Sequence, residues 1–298
     1  MESILTQVGI IGAGELGKAL GDALTRANMQ ILYFDKDVSR TTTTNIEDLV
    51  KTCQVLLLCV PSWEVKGVCK QLSKASHPNQ PRLVITFAKG VEPGFITMDN
   101  VLRERLPDHY DIGVIYGPMI AGEIERGRIA HGVLALSNNA WFGTLRDHFA
   151  QAKVYLEMSG DMRGVALCAV LKNVYAIGFG ILAGLNVGLN AKGKLAVMAL
   201  AETKRLLADL KGDPRTAEGV AGLGDMLATG FSEDSFNFRV GKTLAERIAN
   251  EHIKSEGLVT LYELGKHVNV KRYPVANTLD NIVFHYGDPQ KLVDLLLD

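Results

Sequence analysis

Lys172 is the residue of this 298-residue chain whose setting most demands a chemical explanation. It is the single charge in an apolar run from Gly164 to Gly188 (GVALCAVLKNVYAIGFGILAGLNVG), and Asn173 follows it at once. An ammonium in such surroundings must be neutralised, paired or turned toward a cavity. Three readings fit: a membrane span, a core helix whose lysine snorkels to the surface, and the spine of a second domain that aims Lys172 into an active site. Against the span stand the Lys-Asn pair near its middle, five glycines and the lack of a second such run. Lys89 follows the apolar run Leu83–Phe87. A lysine at the carboxyl end of a parallel strand lies in the layer where such sheets place their chemistry, the alternative being a solvated loop lysine. Asp225 and Thr229 are the acid and the hydroxyl of a glycine-dense stretch, 219–230. Glycines in that number mean backbone passing close to something.

The amino-terminal part carries a second kind of site. The run VGIIG (8–12) has the β-branched, apolar character of a buried strand and leads into Gly12, Gly14 and Gly17 in G-x-G-x-x-G spacing, with Glu15 and Leu16 inside the motif. A helical pattern follows, then the strand Ile31–Phe34, which ends on Asp35, 18 residues after Gly17. Gly12 permits the tight turn, Gly14 lets a pyrophosphate approach the backbone at a helix N-terminus, and Gly17 lets the helix pack on the strand. Asp35 is placed to accept from the adenosine ribose hydroxyls and to repel a 2′-phosphate, which favours NAD over NADP, although Lys36 and Arg40 lie close by. Pro61 ends the strand Val55–Val60 where the cofactor crevice is expected.

Strands alternate with helices along the chain to about residue 158: further strands are expected at Leu83–Phe87, Ile112–Tyr116 (ending in Gly117 and Pro118), Val133–Leu136 and Val154–Leu156, with helices at 65–75 and 97–106 and a loop at 76–82. That alternation predicts a doubly wound parallel sheet, a Rossmann-type α/β domain over 1–158. From 159 the pattern turns helical: the spine helix, a helix over 191–210, turns and loop over 219–241, and helices near 242–250, 258–268, 275–285 and 289–297. An all-α substrate domain over 159–298 is expected. Composition is that of an ordinary globular protein, 47% hydrophobic and 22% charged. A net charge of −1 gives no electrostatic case for nucleic acid or an anionic membrane. The four cysteines show no C-x-x-C spacing and read as reduced core residues of a cytoplasmic protein with no metal site. The opening residues lack a basic segment and read as no signal peptide.

At GAGELGKAL (12–20), VPS (60–62), Lys89-Gly90, LKNVYAIGFGI (171–181), GLNAKGKLAVMALAE (188–202), GLGDMLATG (222–230) and EGLVTLYELGKHVNVKRYPV (256–275), the chain resembles the NAD(P)-dependent glycerol-3-phosphate dehydrogenases. The resemblance covers nearly the whole chain. It implies an NAD-linked dehydrogenase with a small-molecule substrate held between two domains. Lys172 then polarises and protonates the substrate ketone, Lys89 assists it, and Asn173, Asp225, Thr229 and Gly117 line the site. A cation aimed at an oxygen that gains negative charge suits that role. Asp225 would hold Lys172; the alternative for Asp225 and Thr229 is that they only brace the glycine loop. A homodimer is plausible from the apolar helical half.

One segment departs from the family pattern. Where S-R-N-R is usual, the chain reads Ser235, Phe236, Asn237, Phe238, Arg239, so Asn237 and Arg239 remain while Phe236 replaces the arginine that grips the substrate phosphate. Met119 stands where serine is common. Arg239, Lys192, Lys194 and Lys242 are the candidate replacements. Two alternatives to a working glycerol-3-phosphate dehydrogenase therefore stand: a dehydrogenase for a different small ketone, and a non-catalytic NAD-binding sensor.

Overall fold

The computed structural model describes residues 5, 7–43, 45–75, 82–246 and 254–297. Nearly all of the loop expected at 76–82 and the end of the helix expected at 242–250 lie outside them. The chain divides into two compact units, Met1–Lys89 with Met98–Met162, and Gly90–Thr97 with Arg163–Asp298.

The first unit begins β1 (Gln7–Ile11), α1 (Glu15–Arg26), β2 (Gln30–Phe34), α2 (Ile46–Thr52), β3 (Val55–Leu58), α3 (Ser62–Ala75) and β4 (Arg82–Thr86). After an excursion into the second unit by the hairpin β5 (Val91–Glu92) and β6 (Ile96–Thr97), it resumes with α4 (Met98–Arg105), β7 (Tyr110–Tyr116), α5 (Ala121–Glu125), β8 (Ala130–Leu136), α6 (Phe142–Gln151) and β9 (Val154–Ser159). The strands form one seven-stranded sheet in the order β2-β1-β3-β4-β7-β8-β9. β3 and β4 are buried along their whole length, which their unbroken aliphatic runs require. Strand order reverses between β1 and β3, and the crevice beyond their carboxyl ends is where such sheets bind ligands.

The sheet is not parallel throughout. β8 runs antiparallel to β7, with Gly113 opposite Leu136 and Tyr116 opposite Val133. Only the five-residue α5 lies between them. One and a half turns rise about 7.5 Å, while the seven-residue β7 is roughly 23 Å long, so the connection does not carry the chain back along the sheet.

The second unit is helical: α7 (Met162–Gly184), α8 (Leu189–Asp209), a π-helical turn (Val220–Gly224), α9 (Asp225–Gly230), α10 (Phe236–Ala245), α11 (Glu256–His267), α12 (Pro274–Phe284) and α13 (Gln290–Leu297). By length and composition α7 is apolar enough to cross a membrane, but its most apolar window is wholly buried within the protein. It stops short of Gly188, which instead precedes α8 with φ +87°. The backbones of α7 and α10 meet at glycines: a Cβ on Gly180 would lie 2.0 Å from the Phe238 carbonyl oxygen, and one on Gly241 1.9 Å from that of Ile177.

Two segments expected as loop are helical. Ser235 caps α10 by accepting from the Phe238 N–H at 3.3 Å, so 236–241 is helix. The glycine-dense stretch winds into the π turn and α9 despite its low intrinsic propensity, since Ala221, Gly222, Asp225, Met226 and Gly230 are buried there and packing outweighs propensity. The hairpin at Gly90–Thr97 was not expected from the apolar pattern, which holds too few residues to register; its turn pair Pro93-Gly94 is the local signal. Phe95 (2% exposed) belongs to the second unit's core and stacks on His267, and Gly94 N–H donates to Glu263.

Glu202, fully buried on α8, ties three helices. Its carboxylate accepts from the Val275 and Ala276 N–H groups in the first turn of α12, at 2.9 and 2.8 Å, and from the Tyr175 hydroxyl of α7 at 3.1 Å. Burial pushes its carboxyl above the ordinary range, and the hydrogen bonds offset this only in part. Glu202→Ala strands these donors and should cost about 3 kcal/mol in urea unfolding. A raised folded-state value gives stability that is fully present below the unfolded carboxyl's value of about 4.3 and is lost as pH rises through the folded one. The stability gap between parent and variant should therefore narrow as pH rises from about 4.

Candidate active site

The carboxyl end of β1 turns sharply through Gly12 (φ +96°), where a Cβ would lie 2.7 Å from the Cys59 carbonyl oxygen. Gly17 is as tightly held, with a Cβ 2.0 Å from the Gly12 carbonyl oxygen. Gly14 differs: nothing lies within 4 Å of where its Cβ would be. The protein's own packing requires glycine at 12 and 17 and does not require it at 14. The open space at Gly14 fronts the first turn of α1, whose amides receive no side-chain cap from that residue. This is the arrangement a pyrophosphate needs, with room for close approach and N–H groups carrying positive partial charge. Glu15 is exposed at that turn, Leu16 packs on the first unit's core, and Pro61 is exposed past the end of β3.

Asp35 has a role at this turn that spacing did not reveal. Its Oδ2 accepts from Ala13 N–H at 2.6 Å and its Oδ1 from Asp37 N–H at 2.8 Å, so the carboxylate fastens the glycine turn to the end of β2. The neighbouring cations are paired with acids, Lys36 with Glu64 and Arg40 with Asp37, both at 3.1 Å. Burial pushes the Cys59 thiol beside the turn up to about 12, which leaves it protonated and no nucleophile. Lys89 donates to the Gly117 carbonyl oxygen at 2.9 Å. The buried Tyr116 hydroxyl donates to the Ala88 carbonyl oxygen at 2.7 Å and so braces the strand end that presents Lys89. A Cβ on Gly117 would lie 2.6 Å from the His131 carbonyl oxygen. Met119 is buried in the first unit's core.

In the second unit Lys172 is 8% exposed and meets both residues named from the glycine-dense stretch. Its Nζ lies 3.2 Å from Asp225 Oδ1 and donates to Thr229 Oγ1 at 2.6 Å; that hydroxyl donates to Asp225 Oδ1 at 3.3 Å. A helical turn makes this possible, since Asp225 and Thr229 are four apart on α9 and share a face. Close approach of α9 depends on Gly230, whose Cβ would lie 2.4 Å from the Phe179 ring of α7. A small cavity adjoins Lys172, lined otherwise by Cys168, Leu200, Thr203, Ala217, Gly222 and Met226. Lys172 is thus paired through its ammonium and is one of the residues that line this cavity.

Asn173 and Asn237 are buried against the start of α11, where Asn237 Oδ1 accepts from Gly257 N–H at 3.0 Å. Arg239 is exposed: its Nη1 donates to the Glu233 and Asp234 carbonyl oxygens at 3.1 and 2.9 Å, and its guanidinium stands over the Phe236 ring. Lys172, Asp225 and Thr229 therefore form one cluster, Asn173 and Asn237 share the α11 start, and Arg239 joins neither. Among the described residues no group of three His, Cys, Asp or Glu side chains is placed to hold a metal ion.

A switch-point glycine turn with an acid at the end of β2, followed in the chain by a helical unit that buries a Lys172–Asp225 pair with Thr229 beside it, fits a nicotinamide-dependent oxidoreductase. Residues 34–142 match the family model of the NAD-dependent glycerol-3-phosphate dehydrogenase N-terminus and 161–294 that of its C-terminus. Glycerol-3-phosphate dehydrogenase [NAD(P)+] of Synechocystis sp. is 30% identical over 300 residues, covering 98% of this chain and 93% of that one. The corresponding enzyme 1 of Salinibacter ruber is 29% identical over 329 residues, with 98% and 95% covered. The crystal structure of glycerol-3-phosphate dehydrogenase from Coxiella burnetii shares the fold, with a TM-score of 0.88 at 24% identity, over 99% of this chain and all of that one. The chain belongs to the NAD-dependent glycerol-3-phosphate dehydrogenase family.

The two kinds of glycine separate by substitution. Gly14→Ala should lower Tm by only about 2–4 °C, the cost of a poorer N-cap, while weakening NADH binding about tenfold or more in a fluorescence titration. Gly17→Ala should lower Tm far more, by clash with the Gly12 carbonyl. Unaltered NADH affinity in Gly14→Ala would rule out close approach there.

Proposed function

We propose that the protein uses NADH to reduce dihydroxyacetone phosphate to sn-glycerol 3-phosphate, with Lys172 as the proton donor. The observation that carries this reading is the buried Lys172–Asp225 pair, with Thr229 bonded to both, in a chain that aligns with the Synechocystis enzyme over 98% of its length. The nicotinamide, when bound, supplies the hydride. Gly12, Gly14, Gly17, Glu15, Leu16 and Pro61 shape its dinucleotide site, and Asp35 receives the ribose. Lys172, as the ammonium, stabilises the oxygen that gains charge and gives it a proton. Asp225 keeps the ammonium charged and aimed, and Thr229 fixes its direction. Lys89 supplies a second cation, and Asn173 and Asn237 border the substrate. The relatives' name, glycerol-3-phosphate dehydrogenase [NAD(P)+], supports this substrate pair, and the reductive direction is part of the proposal.

The half-exposed Phe236 favours a second reading, a related ketone without a phosphate. Absorbance-monitored NADH oxidation with dihydroxyacetone phosphate and dihydroxyacetone in parallel decides between them: preference for the ester supports the first, preference for the uncharged ketone the second. Lys172→Met, which keeps the apolar stem, should lower kcat about 1,000-fold while NADH binding persists. Loss of NADH binding in a folded variant would refute its assignment to chemistry.

NAD is the proposed cofactor form, because the Asp35 carboxylate repels a 2′-phosphate and the nearby cations are already paired. Asp35→Asn keeps an acceptor for Ala13 N–H and should shift the NADPH-to-NADH ratio of kcat/KM upward about tenfold. Asp35→Ala also releases the turn and should weaken both cofactors. An unchanged ratio in Asp35→Asn would refute the role.

A further inference from the structure

We infer that Lys192 takes over the anionic end of the substrate, as the cation that binds a phosphomonoester where Phe236 has replaced arginine. The inference rests on the glycerol-phosphate reading above and names the group that makes it workable in this chain.

Four cations near the altered segment could serve, and the structure separates them. Arg239 is engaged by two carbonyl oxygens and the Phe236 face. Lys194 and Lys242 are exposed. Lys192, the fourth residue of α8, is partly buried. Its ammonium stands 5.1 Å from the centre of the Phe238 ring and 5.9 Å from that of Phe231. Among the described residues no carboxylate pairs with it. Two aromatic faces hold a cation by their quadrupoles and give it no anionic partner, so its charge remains available to an oxyanion.

The position is also the right one. Phe231 lies two residues beyond Thr229, which accepts from Lys172, and the Phe231 ring packs on Phe179 of α7 with centroids 5.4 Å apart. Lys172 and Lys192 therefore meet the two ends of one short segment, 229–231. A ketone oxygen at the first and a phosphate at the second would set a three-carbon substrate along it. Phe238, buried at 3% exposure, is in this view the floor that positions Lys192.

The test uses the whole protein as parent, Lys192→Met and Lys192→Arg. Turnover is measured with dihydroxyacetone phosphate and dihydroxyacetone, and binding of glycerol 3-phosphate and of inorganic phosphate by calorimetry on the NAD-loaded protein. Lys192→Met should raise KM for the phosphate ester about 10- to 100-fold with kcat within a few-fold, and should weaken glycerol 3-phosphate binding by the same factor. Lys192→Arg should restore most of both. A KM and an affinity in Lys192→Met within twofold of the parent would overturn the assignment while leaving the dehydrogenase reading intact. Binding of glycerol 3-phosphate through Lys192 without turnover of the ketone would uphold it and overturn that reading. A parent that neither turns over nor binds either phosphate would overturn both. A variant that loses only thermal stability would show Lys192 to be a brace.

Discussion

The second unit is arranged around the need to neutralise one ammonium inside an apolar helix. Every residue of α7 from 164 to 182 is buried, Lys172 included. A buried ion pair is a poor device for stability: matched apolar side chains are often as good or better, while removal of one partner costs about 3–5 kcal/mol. Asp225, 2% exposed, is therefore a commitment that the fold alone does not explain. It has to be delivered against α7 by a chain that approaches closely, which Gly230 permits, while Gly222 lets the π turn fold back on Ala217. The glycine-dense stretch, the short α9 and the cavity beside Lys172 are consequences of that one requirement.

The first unit is governed by a backbone constraint. Two of its three motif glycines are fixed by contacts within the protein, and only Gly14 is left to answer to a ligand. Asp35 joins the two levels, since the carboxylate assigned to the ribose already holds the turn through Ala13. The glycine turn is in this sense held by the protein's own contacts, and the cost of ordering it falls on folding.

Most of the fold was legible because its signals are local. The aliphatic runs that became β1 to β4, the glycine spacing and the unbroken apolarity of α7 each announce themselves within a dozen or so residues. The antiparallel β8, the helical state of 236–241 and the hairpin after Lys89 did not: β8 is turned by a connection too short to carry the chain back, the hairpin is settled by core partners distant in the chain, and α10 by one Ser235 cap that a neighbouring Phe-Asn-Phe run obscures. Within the site, residue types pointed to Lys172 and to an acid and hydroxyl in 219–230. The distances that join them, the clamp of Asp35 on Ala13 and the seating of Lys192 on two rings depend on tertiary packing that no local spacing encodes.

The hairpin β5–β6 has a consequence for how the polypeptide can be made and cut. Because Gly90–Thr97 is lent by the middle of the first unit to the core of the second, the chain crosses between units at three covalent points, after residues 89, 97 and 162. A fragment ending near 158 would carry Val91 and Phe95 with no core to receive them, and a fragment beginning there would lack two side chains that its core is built to hold. As the ribosome releases the chain, this hairpin must wait for α11 before it is covered, with Phe95 idle until His267 emerges. Contiguous in sequence and divided in space, the protein is one folding problem even though it forms two units.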